Sequence, residues 1–130
     1  MVSKVLLVDD DPTTNYLHQR VVKKANAEAE LAVTTDGREA VEYLESEGTA
    51  WPELILLDIN MPRMNGFEFL EAFRSVSARR REDARIVMVT TSVLPTDRQR
   101  ALDHDLVEDF KGKPLSVDDA RELLKLRPVA

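Results

Sequence analysis

Leu54-Ile55-Leu56-Leu57-Asp58-Ile59-Asn60-Met61-Pro62 is the stretch on which the reading of this chain turns. Four consecutive apolar residues run without a polar break into a carboxylate, and Pro62 with Asn65-Gly66 closes the stretch. So short a run bounded by turn formers is the pattern of a strand covered on both faces, not of a surface helix. Asp58 then stands at the strand's carboxyl end. Ligands bind at that edge in open α/β sheets, which makes Asp58 a candidate site residue on position alone.

The same pattern recurs on either side. Lys4-Val5-Leu6-Leu7-Val8 runs into Asp9-Asp10-Asp11-Pro12. Pro12 suits a first helical position and Asp11 its cap, so a helix is expected from Pro12 to Ala25, with Leu17, Val21 and Ala25 turned inward. Leu31-Ala32-Val33-Thr34 reads as a short strand. Asp36-Gly37-Arg38-Glu39 reads as a capping-box-like helix start, with Ala40, Val41 and Leu44 inward and a stop at Gly48. Asn65 and Glu68 cap a helix striped by Phe69, Leu70, Phe73 and Val76. Arg85-Ile86-Val87-Met88-Val89 is a strand that runs into Thr90-Thr91-Ser92. Pro95 opens a polar helical segment over residues 96–102 with a thin apolar stripe, expected to pack weakly. Leu106-Val107-Glu108-Asp109-Phe110 is a last strand before Lys111-Gly112-Lys113-Pro114. Ser116 and Asp119 then cap a helix carrying Val117, Ala120, Leu123 and Leu124 inward.

Five strands alternating with five helices imply a parallel sheet with helices on both faces, because parallel neighbours need crossovers. The expected class is a doubly wound α/β fold. In it Asp9, Asp10, Asp58, Thr90 and Lys113 all follow strands and gather at one sheet edge. Crowded carboxylates repel unless a cation is present, and a hard ion such as Mg²⁺ accepts carboxylates, waters and phosphate oxygens together. A lysine point charge and a threonine hydroxyl suit phosphoryl oxygens. The set fits metal-assisted phosphoryl transfer, which depends on positioning and charge neutralisation. Singly, each residue has a plainer reading: Asp11 as a cap beside two solvated acids, Asp58 as a turn former, Thr90 and Thr91 as strand residues, Lys113 as a solvated lysine. Met61 and Met64 read as gap fillers. His18 and His104 fall in helical patterns and read as surface residues without a role.

The totals agree with one globular domain. The chain has 130 residues, 43% hydrophobic and 32% charged, with formal net charge −6 and a pI near 5.0. That balance argues against general binding to nucleic acid or an anionic membrane. Arg79-Arg80-Arg81 reads as a solvated loop. There is no cysteine, which suits a reducing cytoplasm. The leading apolar run is too short for a signal peptide or a bilayer span, so a soluble, cytoplasmic protein is expected.

Together, Val8-Asp9-Asp10-Asp11-Pro12, the opening stretch with Gly66, Val89-Thr90-Thr91, and Phe110 followed by Lys113-Pro114 resemble the receiver domain of two-component response regulators. The resemblance spans the chain. It implies a flavodoxin-like (βα)5 three-layer sandwich with strand order 2-1-3-4-5. Asp58 would be the phosphoacceptor, taking a phosphoryl group from a phosphohistidine of a sensor histidine kinase or histidine phosphotransfer protein. Asp10 would ligate Mg²⁺ (or Mn²⁺) directly, with Asp9 acting through water and the Asn60 backbone carbonyl and Asp58 completing the set. Lys113, Thr90 and the Thr91 amide would hold phosphoryl oxygens, and Lys113–Pro114 would be cis. Thr90 and Phe110 would form a switch that reshapes the face of the fourth helix, last strand and last helix. The chain would then be no enzyme beyond its own phosphorylation and dephosphorylation. With residues 1–130 as a receiver and no effector domain expected, its target would be another protein or an onward relay. Lys111 and Gly112 depart from the family pattern within the last strand and Leu106 in the turn before it, which leaves the regularity of that strand open. Asn60 and Ser92 occupy positions that tune acyl-phosphate hydrolysis in the family.

Two rivals remain. Asp9-Asp10-Asp11-Pro12-Thr13 also resembles the nucleophile motif of haloacid-dehalogenase-type phosphatases, with Asp9 as nucleophile and Asp118-Asp119 as the later acids; this reading gives Asp58 and Pro114 no role. A phosphorylation-independent binding module on the receiver fold would have no reason to keep a repulsive acid cluster.

Overall fold

The computed structural model describes residues 1–46, 48, 50–91 and 94–125. Ser92, named above, lies outside them. In chain order the elements are β1 (Lys4–Val8), α1 (Pro12–Ala25), β2 (Glu30–Thr34), α2 (Gly37–Glu45), β3 (Leu54–Leu57), α3 (Gly66–Arg80), β4 (Arg85–Thr90), α4 (Pro95–Asp103), β5 (Val107–Gly112) and α5 (Val117–Leu123). The strands form one parallel sheet of order β2-β1-β3-β4-β5, the expected flavodoxin-like arrangement.

Successive strand residues point to opposite faces, so the unbroken apolar runs feed two separate cores. Val5, Leu7, Leu54, Leu56, Val87 and Val89 meet Val22 of α1 and Ala120 and Leu123 of α5 on one face. Leu6, Val8, Ile55, Leu57, Ile86 and Met88 meet Ala40 and Leu44 of α2, Phe69 and Phe73 of α3, and Ala101 of α4 on the other. This double covering is why β1, β3 and β4 contain almost no polar side chain.

Helix starts follow local hydrogen bonding. The Asp11 carboxylate accepts from Thr13 N at 3.0 Å, with Pro12 at the first helical position. Asn65 and Glu68 close both halves of a capping box: Asn65 Oδ1 accepts from Glu68 N (2.9 Å), and Glu68 Oε1 from Asn65 N (3.1 Å). Ser116 Oγ accepts from Asp119 N (3.0 Å). At α2 only half the box forms. Asp36 Oδ1 accepts from Glu39 N (2.8 Å), but the Glu39 carboxylate takes the Thr35 hydroxyl (2.7 Å) instead of returning to the cap. This helix stops at Glu45 with Ser46 as its cap, short of Gly48.

The structure also corrects the expected inner face of α1 and the surface reading of both histidines. The inward face of α1 carries Asn15, His18 and Val22, while Leu17 is 43% exposed and Val21 and Ala25 flank the core. The helix is rotated because two of its polar side chains bond to backbone at the sheet edge. His18 is therefore a buried residue with a partner. His104 is half-buried, and its Nδ1 accepts from Leu106 N at 3.1 Å, fastening the turn into β5. The regularity of β5, open in the sequence, is settled by pairing: Lys111 and Gly112 pair with Val89 and Thr90, and the irregularity lies at the start, between Ile86 and Val87. Ladder hydrogen bonds belong to the backbone, so a lysine and a glycine continue the strand.

Candidate functional site

Three chain crossings at the carboxyl edge are fixed by the same device. Asp9 N donates to Thr34 O (3.1 Å), Asp58 N to Val8 O (2.9 Å) and Lys113 N to Thr90 O (3.0 Å). Each residue is thus held by the last rung of a ladder, so the edge is set by sheet register, not by flexible loops. The side chains converge from there. Lys113 Nζ lies 2.5 Å from Asp9 Oδ2 and 3.2 Å from Asp58 Oδ2. One carboxylate oxygen each from Asp9, Asp10 and Asp58 lie within 4.8 Å of one another. Asp9 and Asp58 are buried, whereas Asp10 is exposed.

Charge in so dry a place is expensive, and the lysine answers it. Burial pushes the Asp58 carboxyl above the ordinary carboxylate range; Lys113 opposes that and Asp9 adds to it. Burial alone would draw Lys113 down, but the Asp9 and Asp58 carboxylates hold its ammonium above its usual value. The cation is secure and Asp58 is the strained partner. Asp58 Oδ1 also accepts from Ile59 N (2.8 Å) and Asp9 Oδ1 from Asp11 N (2.9 Å), which leaves the Oδ2 atoms of both facing the ammonium.

The loop after Asp58 is anchored at several points. Gly66 N donates to Ile59 O (2.8 Å), and Gly37 N at the start of α2 donates to Met64 O (3.1 Å). Arg63, in the left-handed region at φ 63, sets its Nε 2.8 Å from the buried Asp36 Oδ2. A Cβ on Gly66 would run into the Asp58 carbonyl oxygen, and would sit 2.9 Å from Met88 Cε and 3.1 Å from Ile59 Cα. Glycine is required there by the close approach of α3 to the backbone of the site.

Other residues singled out from the sequence fall as follows. Thr90 ends β4, almost wholly buried, and Thr91 is exposed beside it. Asn60 is exposed two residues past Asp58. Phe110 is half-buried against the α2/α3 core, as are Met61 and Met64. The Lys113–Pro114 peptide is cis. Asp118 and Asp119 lie in the first turn of α5 and not at the end of a strand, which removes the acids the phosphatase reading needs.

Two residues at the edge went unrecognised in the sequence. Asn15 Nδ2 donates to Asp9 O (2.8 Å), and its Oδ1 is buried with no hydrogen-bond donor among the described residues. His18 Nε2 accepts from Leu115 N (3.1 Å). The only sequence signal for either was their spacing with Val22, three and four residues apart along one helical face.

The family model of the response regulator receiver domain matches residues 5–125. The chain belongs to that family. Among solved structures, a two-component response regulator from Cytophaga hutchinsonii is 29% identical with a TM-score of 0.83, over 94% of this chain and 93% of that one. The phosphorylated cyanobacterial phytochrome response regulator RcpA is 28% identical with a TM-score of 0.76, over 96% and 90%. The receiver domain also aligns at 31% identity, over 86% of its length, with 13% of the sensor histidine kinase CheAY of Helicobacter pylori. No described helix of this receiver domain is long and apolar enough to cross a membrane.

The acid cluster of the receiver domain fits a hard divalent cation. All its side-chain donors are carboxylate oxygens, with no nitrogen or sulfur to favour a softer metal. With one oxygen from each carboxylate within 4.8 Å of the others, the three could share one such ion.

Proposed function

We propose that Asp58 is the phosphoacceptor of this receiver domain and that the charge it gains is read out by a protein partner. The observation that carries the reading is the Lys113 ammonium held between Asp9 Oδ2 and Asp58 Oδ2 at the buried sheet edge. The donor is a phosphohistidine of a sensor histidine kinase or a histidine phosphotransfer protein, met in the cytoplasm. An Asp58 carboxylate oxygen attacks phosphorus, the P–N bond breaks, and the departing imidazole nitrogen keeps the electron pair and takes up a proton. The carboxylate must be ionised to attack, and Lys113 opposes the burial that would protonate it.

Asp10, Asp9, Asp58 and the Asn60 backbone carbonyl are the residues to hold Mg²⁺ or Mn²⁺. The bound ion would supply neutralisation of the phosphoryl and carboxylate oxygens. Thr90 offers its hydroxyl and Thr91 its amide to the phosphoryl oxygens, and Lys113 turns from Asp58 to the new group. As Thr90 moves toward the phosphoryl, Phe110 takes up the space and the α4-β5-α5 face changes. α4 suits that role, since Ala101 is the one residue it buries; the Arg100 guanidinium lies 3.9 Å from the Phe67 ring centroid. A switch of this kind works only if the added charge favours one of two conformations. The acidic chain fits a protein target and not direct contact with nucleic acid. Its chemistry is confined to its own acyl phosphate.

The test is labelling by a small acyl-phosphate donor with Mg²⁺. Wild type should incorporate phosphate and Asp58→Asn should not; undiminished labelling of the variant would remove Asp58 from the role.

A further inference from the structure

We propose that His18 is a positioning residue for Lys113: by accepting the Leu115 amide it fixes the turn from which the lysine reaches the phosphoryl site. The inference rests on the proposed phosphoryl-binding role of Lys113.

α1 faces the site with two polar side chains one turn apart, and each is nearly excluded from solvent, Asn15 at 4% and His18 at 3% exposure. Asn15 holds the acid segment through the Asp9 carbonyl, and His18 holds the lysine segment through the Leu115 amide. One helix thereby ties together the two segments whose side chains meet at the Lys113–Asp9 ion pair. A lysine ammonium ends a flexible four-carbon stem, so where it can reach depends on where its backbone is held. Here the backbone is held on both sides of the lysine. Lys113 N donates to Thr90 O (3.0 Å), and two residues on Leu115 N donates to His18 Nε2 (3.1 Å). Between them the Pro114 ring removes one backbone torsion. Leu115 is 2% exposed and belongs to the α1/α5 core, so solvent has little access to its amide when the imidazole is removed.

The imidazole accepts only while Nε2 carries no proton, with the hydrogen on Nδ1. Burial pulls the His18 pKa below its usual value, which favours the neutral ring, and the Leu115 amide at Nε2 selects the tautomer. A residue that merely filled the space between α1 and α5 could be leucine at no cost to the lysine. An acceptor cannot.

The experiment compares wild type, His18→Leu and His18→Gln, each checked for folding by urea unfolding. Two quantities are read: the rate of Asp58 labelling by the small phosphodonor at saturating Mg²⁺, and the ¹H–¹⁵N resonance of the Lys113 ammonium in the unphosphorylated protein. His18→Leu should label about tenfold more slowly and shift or broaden the ammonium resonance, while His18→Gln, which keeps an acceptor, should stay within about threefold of wild type. A folded leucine variant with wild-type rate and resonance overturns the inference, as does a glutamine variant as slow as leucine. Failure of wild type to label overturns the phosphoacceptor reading instead; the ammonium resonance then decides by itself whether His18 holds Lys113.

Discussion

Gly66→Ala should destabilise the domain by about 2–3 kcal/mol, the upper range for forcing an extra methyl into a packed region. The methyl would meet the Asp58 carbonyl oxygen, Met88 Cε and Ile59 Cα. Only the methionine end can swing away. The other two atoms belong to the backbone that carries Asp58, so α3 must lift from the loop or the loop must move. Either motion strains the Gly66 N–H to Ile59 O bond and shifts Asp58. Loss of labelling should therefore accompany the loss of stability. Gly112→Ala is the internal control, because a Cβ there meets nothing within 4 Å; its unfolding free energy should change by no more than about 0.5 kcal/mol. Urea denaturation of the two variants beside wild type decides it, and equal midpoints for both would contradict the close approach at Gly66.

Asp58→Asn should raise stability at pH 7 while it removes function. The Asp58 carboxyl is pushed above its ordinary value chiefly by burial, against the pull of Lys113. A group with a raised native pKa binds its proton more tightly in the folded than in the unfolded protein, so the folded state loses stability as pH rises through that value. At neutral pH the charged carboxylate is a standing cost. Asparagine removes the charge, and Lys113 retains its partner Asp9 at 2.5 Å. The gain should be about 0.5–2 kcal/mol, the range common to single stabilising substitutions. It should shrink as pH falls through the raised pKa and vanish below the ordinary carboxyl value of 3.8. Unfolding of both proteins as a function of pH measures it. A gain that grew toward acid would mean that the native site depresses the Asp58 pKa.

The strands and their acidic ends were legible because each step depends on a local signal. Leu54 to Leu57 and Val5 to Val8 are apolar without alternation, and only a strand covered on both faces uses such a run. The caps at Asp11, Asn65 and Ser116 were legible for the same reason, since a short polar side chain two or three residues before its amide partner is a local arrangement. The inner face of α1 was not legible. Leu17 is the better hydrophobe, yet Asn15 and His18 turn inward because their partners, the Asp9 carbonyl and the Leu115 amide, are brought to them by distant chain. The length of β5 escaped for a related reason: its register with β4 joins Lys111 to Val89 and Gly112 to Thr90 through backbone atoms, which side-chain patterning does not report. The convergence of Asp9, Asp58 and Lys113 followed from topology, but not the preference of the ammonium for Asp9 over Asp58, which depends on fractions of an ångström.

Locating the label identifies the residue that takes the phosphoryl group. Wild-type protein phosphorylated with Mg²⁺ and a small acyl-phosphate donor, then reduced with borohydride and cut into peptides, should carry the reduced residue at Asp58 and nowhere else. Reduction at Asp9, the nucleophile of the rival phosphatase reading, would contradict the account, and so would a peptide map with no reduced aspartate at all.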